Sequence, residues 1–137
     1  MSQTIADRKL MNQTILVVDD DGPIRLLVQE ILTQAGYQVL TAQHGPECLA
    51  IVAQQVPQLI ILDLDMPFMG GLEVLRALRR KRALRKLPVI ILTGQTATVN
   101  MLDAWKTGAE RFLHKPVSRE ALLHAVQAIL PQGSKIK

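Results

Sequence analysis

Two groups of carboxylates, one threonine and one lysine have the types and spacing for chemistry. Asp19, Asp20 and Asp21 follow the run TILVV, and Asp63 and Asp65 flank Leu64 after LIIL. Thr93 and Gly94 follow VIIL, and Lys115 and Pro116 follow RFLH. If one fold gathers these residues, the carboxylates raise each other's pKa and destabilise the chain unless a cation joins them. An oxygen-only set with room for water suits Mg²⁺, with Mn²⁺ as a substitute. A lone ammonium aimed at the same place suits an anion such as phosphate. Thr93 adds a hydroxyl donor, and Gly94 leaves space beside it. Asp21 has a plainer reading as the cap of the segment that follows it.

The elements that must carry these residues are legible in the hydrophobic pattern. Short β-branched or aliphatic runs recur as TILVVD (14–19), QVLTA (38–42), QLIILD (58–63), PVIILT (88–93) and RFLH (111–114), beginning 20 to 30 residues apart. Segments with helical periodicity lie between them. The first carries Ile24, Leu27, Val28, Ile31, Leu32 and Ala35, with Pro23 in its first turn and Gly36 just past its last. The second uses Leu49, Val52, Ala53 and Val56 before Pro57, and the third Leu72, Leu75 and Leu78. The fourth spans roughly 97–107 and stops at Gly108. The fifth holds Leu122, Val126, Ile129 and Leu130, with Ser118 as N-cap and Pro131 as its stop. Strands alternating with helices need crossover connections, so the expected class is α/β, a single-domain (βα)5 doubly wound parallel sheet. In such a sheet ligands bind beyond the carboxyl ends of the strands, which is where every residue singled out above falls.

Composition narrows the classes. The chain has 137 residues, 48% apolar and 20% charged, which is ordinary for one globular domain. Only 3% are aromatic, too few for a surface that stacks nucleotide bases. The single cysteine, Cys48, has no disulfide partner, and no Cys and His spacing suggests zinc. There is no signal-like or membrane-length apolar run, so a cytoplasmic location is expected. Sixteen Lys and Arg stand against twelve Asp and Glu. Seven of the sixteen are Arg76, Arg79, Arg80, Lys81, Arg82, Arg85 and Lys86, and no acid occurs between Val74 and Leu102. That run reads as a solvated helix face or as a patch for an acidic partner or nucleic acid.

VVDDD at 17–21 with Arg25 beyond it, ILDLDMPFMGG at 61–71, ILTG at 91–94 and FLHKP at 112–116 together resemble the receiver domain of bacterial two-component response regulators. The resemblance covers about residues 14–130, leaving 1–13 and 131–137 as tails, and implies the flavodoxin-like strand order 2-1-3-4-5. It implies that Asp63 is the phosphoacceptor, taking a phosphoryl group from a sensor histidine kinase or a histidine phosphotransfer protein. Asp20, Asp63 and the backbone carbonyl of Asp65 would hold Mg²⁺, with Asp19 acting through a water, while Lys115 steadies the phosphoryl group. Thr93 and Phe112 take the switch positions, with Phe112 where a tyrosine often stands. Asp65 and Gln95 flank the water that removes the phosphate. The resemblance also implies a phosphorelay or two-component phosphoprotein that is no enzyme beyond its own phosphorylation and dephosphorylation. As a stand-alone receiver, with the chain ending one helix after Lys115, it would be read directly by a downstream target protein; as a fragment of a longer regulator, residues 131–137 would begin a linker. A homodimer through helix 4, strand 5 and helix 5 is a further partner class.

On the fourth helix Met101 and Trp105 share a face at i, i+4, and the resemblance implies that this face points outward beside Phe112, with Leu102 inward, forming a partner surface. Trp105 packed over the core edge is the competing reading. His44, His114 and Cys48 suggest no chemistry. Two other functions stay open on the residues. Asp63-Leu64-Asp65 imitates the D-x-D of haloacid-dehalogenase-like aspartyl phosphatases, although there D-x-D follows the first strand. The basic run would serve a nucleic-acid-binding module.

Overall fold

The computed structural model describes residues 13–94 and 98–131. Five strands, β1 (Thr14–Val18), β2 (Gln38–Ala42), β3 (Leu59–Asp63), β4 (Val89–Thr93) and β5 (Arg111–His114), form one parallel sheet in the order β2-β1-β3-β4-β5. Five helices follow them in turn: α1 (Gly22–Gln34), α2 (Gly45–Gln54), α3 (Gly71–Arg80), α4 (Thr98–Lys106) and α5 (Arg119–Ile129). A 3₁₀ turn, Arg82–Leu84, extends α3.

β1, β3 and β4 are buried along their whole length, as their unbroken apolar runs require of central parallel strands. Successive side chains alternate between two cores. Ile15, Val17, Leu59, Ile61, Ile90 and Leu92 pack with α1 and α5. Leu16, Val18, Ile60, Leu62, Val89 and Ile91 pack with α2, α3 and Ala104 of α4. Local signals start and stop the helices where the sequence places them. Asp21 and Ser118 accept from the backbone N–H groups of Ile24 and Ala121, at 3.1 and 3.0 Å. Gly36 and Gly108 take the left-handed φ of +103° and +105° that ends a helix without steric cost to glycine.

The helix faces depart from the expected pattern in four places. Leu27 is 44% exposed, because the buried stripe of α1 is the narrower set Val28, Ile31 and Leu32. α2 ends at Gln54, so Ala53 and Val56 lie at an exposed rim rather than in the core. On α3 Val74 is fully buried and Leu72 only half-buried. On α4 the phase is turned: Leu102 is exposed, while Met101 is partly buried against the core beside Ala104. A short helix with apolar residues at 101, 102, 104 and 105 offers two possible buried stripes, and Ala104 has the small side chain that lets the helix approach the sheet.

Candidate functional site

Register brings the acids together. Val18 pairs with Leu62, so Asp19 and Asp63, each one residue further on, stand side by side at the carboxyl ends of β1 and β3. Asp19 is fully buried and Asp63 is 1% exposed, while Asp20 faces solvent. Carboxylate oxygens of Asp19, Asp20 and Asp63 lie within 4.8 Å of one another. Arg25 Nη1 donates to the Asp19 carbonyl at 2.7 Å, which ties the first turn of α1 to the acidic strand end.

The ammonium arrives from the other side. Thr93 pairs with His114, and the Lys115 N–H donates to the Thr93 carbonyl at 2.9 Å. The Lys115-Pro116 peptide bond is cis. Lys115 Nζ sits 3.1 Å from Asp19 Oδ2 and 3.3 Å from Asp63 Oδ1. Burial pulls this ammonium toward its neutral form, but the attraction of Asp63 and Asp19 outweighs it and its pKa moves up.

Asp63 is held at one oxygen and left unpartnered at the other. Its Oδ1 accepts from the Asp65 N–H at 3.1 Å, whereas Oδ2 is buried and accepts no hydrogen bond. Burial and, after it, the charge of Asp19 push its pKa from 3.8 up to about 7, against the opposing pull of the Asp65 N–H and Lys115. Asp19 Oδ1 accepts from the Asp21 N–H at 2.9 Å; its Oδ2 also lacks a hydrogen-bond donor and has only the Lys115 ion pair. Unpartnered buried carboxylate oxygens are costly. Two of them, beside a third acid at the solvent edge, form a donor set that fits a hard divalent cation.

Thr93 is fully buried, and its hydroxyl donates to the adjacent Gly94 carbonyl at 3.0 Å. Asp65 is exposed, and a Cβ placed on Gly94 would lie 3.7 Å from its Oδ2, so the ends of β3 and β4 share one rim. Gln95 lies outside the described residues. Phe112 is half-buried against the core, its ring 6.1 Å from that of Trp105 and tilted by 33°. Trp105 is 59% exposed and borders an open groove of about 950 Å³ between the β5 edge and α5. That groove lies away from the acids and takes no part in their chemistry.

Three roles had no signal in the sequence. Gly71 brings α3 against the backbone of the acid itself, since a Cβ there would overlap the Asp63 carbonyl and lie 2.8 Å from Leu64 Cα. Phe68, in the loop after Asp63, is fully exposed at a φ of +67°, a region that favours glycine. His44 caps α2, its Nδ1 accepting from the Glu47 N–H at 3.1 Å.

The response regulator receiver domain model matches residues 15–127. The chain belongs to that family. It is 33% identical over 121 residues to the phosphate regulon transcriptional regulatory protein PhoB of Pseudomonas aeruginosa, covering 88% of this chain and 53% of that protein. It is 36% identical over 120 residues to the alkaline phosphatase synthesis transcriptional regulatory protein PhoP of Bacillus subtilis, covering 88% and 49%. The receiver chain thus spans about half the length of these relatives. Among solved structures, the chemotaxis response regulator CheY4 of Vibrio cholerae superposes with a TM-score of 0.80 at 35% identity, covering 85% of this chain and 98% of that one. The receiver domain of NtrX from Brucella abortus gives 0.79 at 30% identity, covering 85% and 97%. The family assignment displaces the dehalogenase-like reading of Asp63-Leu64-Asp65. No helix among the described residues is long and apolar enough to cross a membrane.

Proposed function

We propose that this receiver accepts a phosphoryl group on Asp63 from a phosphohistidine of a sensor histidine kinase or histidine phosphotransfer protein, in the cytoplasm, and passes the signal to a target protein. The carrying observation is the state of Asp63: buried, held at Oδ1 by the Asp65 N–H and faced by Lys115, yet unpartnered at Oδ2. A carboxylate so fixed can offer an electron pair along one direction.

In the transfer, a carboxylate oxygen of Asp63 forms a bond to phosphorus as the P–N bond breaks. The electron pair of that bond returns to the imidazole, which leaves neutral when its other nitrogen carries a proton. Lys115 faces the oxygens on which charge accumulates and stabilises them as a point charge. Asp20, Asp63 and the Asp65 carbonyl would hold Mg²⁺, or Mn²⁺ in its place, with Asp19 acting through a water. When bound, the ion offsets the negative charge of the acids and of the incoming phosphoryl group. The Thr93 hydroxyl, spent on its neighbour's carbonyl in the resting chain, rotates toward the phosphoryl group. The space it leaves admits Phe112, which changes the surface that Phe112 and Trp105 border and that a target or a second receiver reads. Asp65 and Gln95 set the phosphate lifetime through the attacking water. The domain modifies its own residue and turns over no separate substrate.

The test is exposure to acetyl phosphate with and without Mg²⁺, for the wild type and Asp63→Asn. One phosphoryl group per chain, requiring both the ion and Asp63, is the expected result. Steady release of phosphate from a small ester by Asp63→Asn would contradict it.

A further inference from the structure

The largest concentration of like charge in the chain has no part in the site described above. Arg79, one of its seven members, is turned inward, donating to the carbonyls of Thr107, Leu84 and Gly108 at 3.3, 2.7 and 3.0 Å. The other six, Arg76, Arg80, Lys81, Arg82, Arg85 and Lys86, are exposed. Both ion pairs among the described residues belong to Lys115, so none of the six is matched by a carboxylate there.

One of the six, Lys81, lines an apolar groove of about 270 Å³ where the end of α2 passes α3 and the 3₁₀ turn, and Arg80 and Arg82 flank it in sequence. Val52, Ala53 and Val56 form one wall, Ala77, Leu78 and Leu84 the other, and Lys81 stands at the lip. Val56 is 52% exposed. The helices run antiparallel to the strands, so the groove opens at the end of the sheet opposite Asp63.

We propose that this groove docks an acidic amphipathic helix of a partner protein, its apolar side chains entering the slot and its carboxylates meeting the basic rim. Three observations select that occupant. The volume lies below the roughly 300–1,000 Å³ typical of small-molecule sites, and Lys81 supplies the only charged group in the lining, so it fits a few aliphatic side chains. The unmatched bases favour acidic groups around those side chains. The chain's own residues outside the described ones carry Arg8, Lys9, Lys135 and Lys137 against Asp7 alone, the same sign as the rim. An apolar slot inside a basic rim is the complement of a helix with apolar anchors at i, i+4 and i+7, whereas nucleic acid uses the bases and leaves the slot empty.

The experiment titrates the full chain into a fluorescently labelled acidic peptide of about 16 residues, roughly four helical turns, with Leu at i, i+4 and i+7 and Glu on its other faces. Duplex DNA and phosphatidylglycerol vesicles serve as the alternative ligands. Ala53→Glu blocks the slot from an exposed helix position that tolerates glutamate. Lys81→Glu with Arg85→Glu reverses the rim. Each change is expected to weaken peptide binding by about tenfold or more, the second also flattening its salt dependence, with Asp63 phosphorylation by acetyl phosphate unchanged. The proposal is overturned if the wild type does not bind the peptide or Ala53→Glu binds it equally well. It is also overturned if DNA or vesicles bind more tightly than the peptide and regardless of Ala53→Glu, or if sedimentation reveals self-association that Ala53→Glu abolishes.

Discussion

Lys115 holds its ammonium 3.3 Å from Asp63 Oδ1 although β4 separates their two strands in the sheet. The side chain reaches across the end of β4 and also meets Asp19 Oδ2 at 3.1 Å. One positive charge is therefore paired with Asp19 and Asp63, and with Asp20 beside them the ion pairs leave an excess of two negative charges when all three acids are ionised. A divalent cation matches that excess.

Replacing Lys115 by Met removes the cation while keeping the apolar stem. With Mg²⁺ present, phosphorylation by acetyl phosphate should slow by about 100-fold, the scale of losing one preorganised charge or donor at a reacting oxygen. Circular dichroism should report an intact fold. Lys115→Arg should recover little of the rate, because a planar guanidinium does not reproduce a compact ammonium. An unchanged rate in Lys115→Met would remove Lys115 from the chemistry.

The raised pKa of Asp63 has a sign that unfolding can read. Below pH 3.8 the group is protonated both folded and unfolded, and it contributes nothing. Between there and about 7 the unfolded chain loses the proton while the folded one keeps it, so metal-free stability falls as pH rises. The penalty, roughly 4 kcal/mol at most, is complete above that range. Urea unfolding in EDTA should find Asp63→Asn more stable than wild type at pH 8, with the gap closing toward pH 4. Mg²⁺ should stabilise the wild type by about 1.4 kcal/mol at ten times its Kd. It should do so more at pH 8 than at pH 5. An Asp63→Asn that is no more stable at pH 8 would contradict this account of the buried acids.

Gly71→Ala should cost about 1–3 kcal/mol, because the added methyl meets the Asp63 carbonyl and Leu64 Cα, backbone atoms that cannot rotate away. The displaced Asp63 should also be phosphorylated more slowly. Gly70→Ala is the control, since its nearest new contact is the Leu64 carbonyl at an ordinary 3.5 Å. Equal unfolding midpoints for the two variants would refute the close approach.

Trp105→Ala tests whether that ring is surface or core. It is 59% exposed, and its tilted contact with Phe112 is of a kind worth about 0.5–1.5 kcal/mol. Chemical unfolding should therefore register a loss of about 1 kcal/mol or less. A loss of several kcal/mol, as for a buried tryptophan, would assign the ring to packing and free the face of its proposed recognition role.

The sheet and its acidic rim were legible because strand runs such as LIIL and VIIL have no polar alternation and end abruptly in Asp63 and Thr93. Caps with a side-chain mechanism, Asp21 and Ser118, were legible for the same reason: one short polar group placed before an apolar stripe. What escaped depends on helix rotation and on distance in space. The phase of α4 follows from the small Ala104 facing the sheet, which the apolar count at 101, 102 and 105 obscures. Arg79 looks like its six basic neighbours in sequence, and only the approach of the α4–β5 connection, whose Thr107 and Gly108 carbonyls join that of Leu84 in the 3₁₀ turn, gives its guanidinium three carbonyls to bind. The close passage of Gly71 over Asp63 joins residues eight apart through a tertiary turn, which no periodicity records.

The central claim is that the phosphoryl group is carried by Asp63 and by no other acid of the rim. After phosphorylation with acetyl phosphate and Mg²⁺, borohydride reduction converts an aspartyl phosphate to homoserine, and peptide mass mapping locates the altered residue. Homoserine at position 63 alone is the predicted result. Homoserine at Asp19, Asp20 or Asp65, or at no position in a chain that has taken up phosphate, would contradict it.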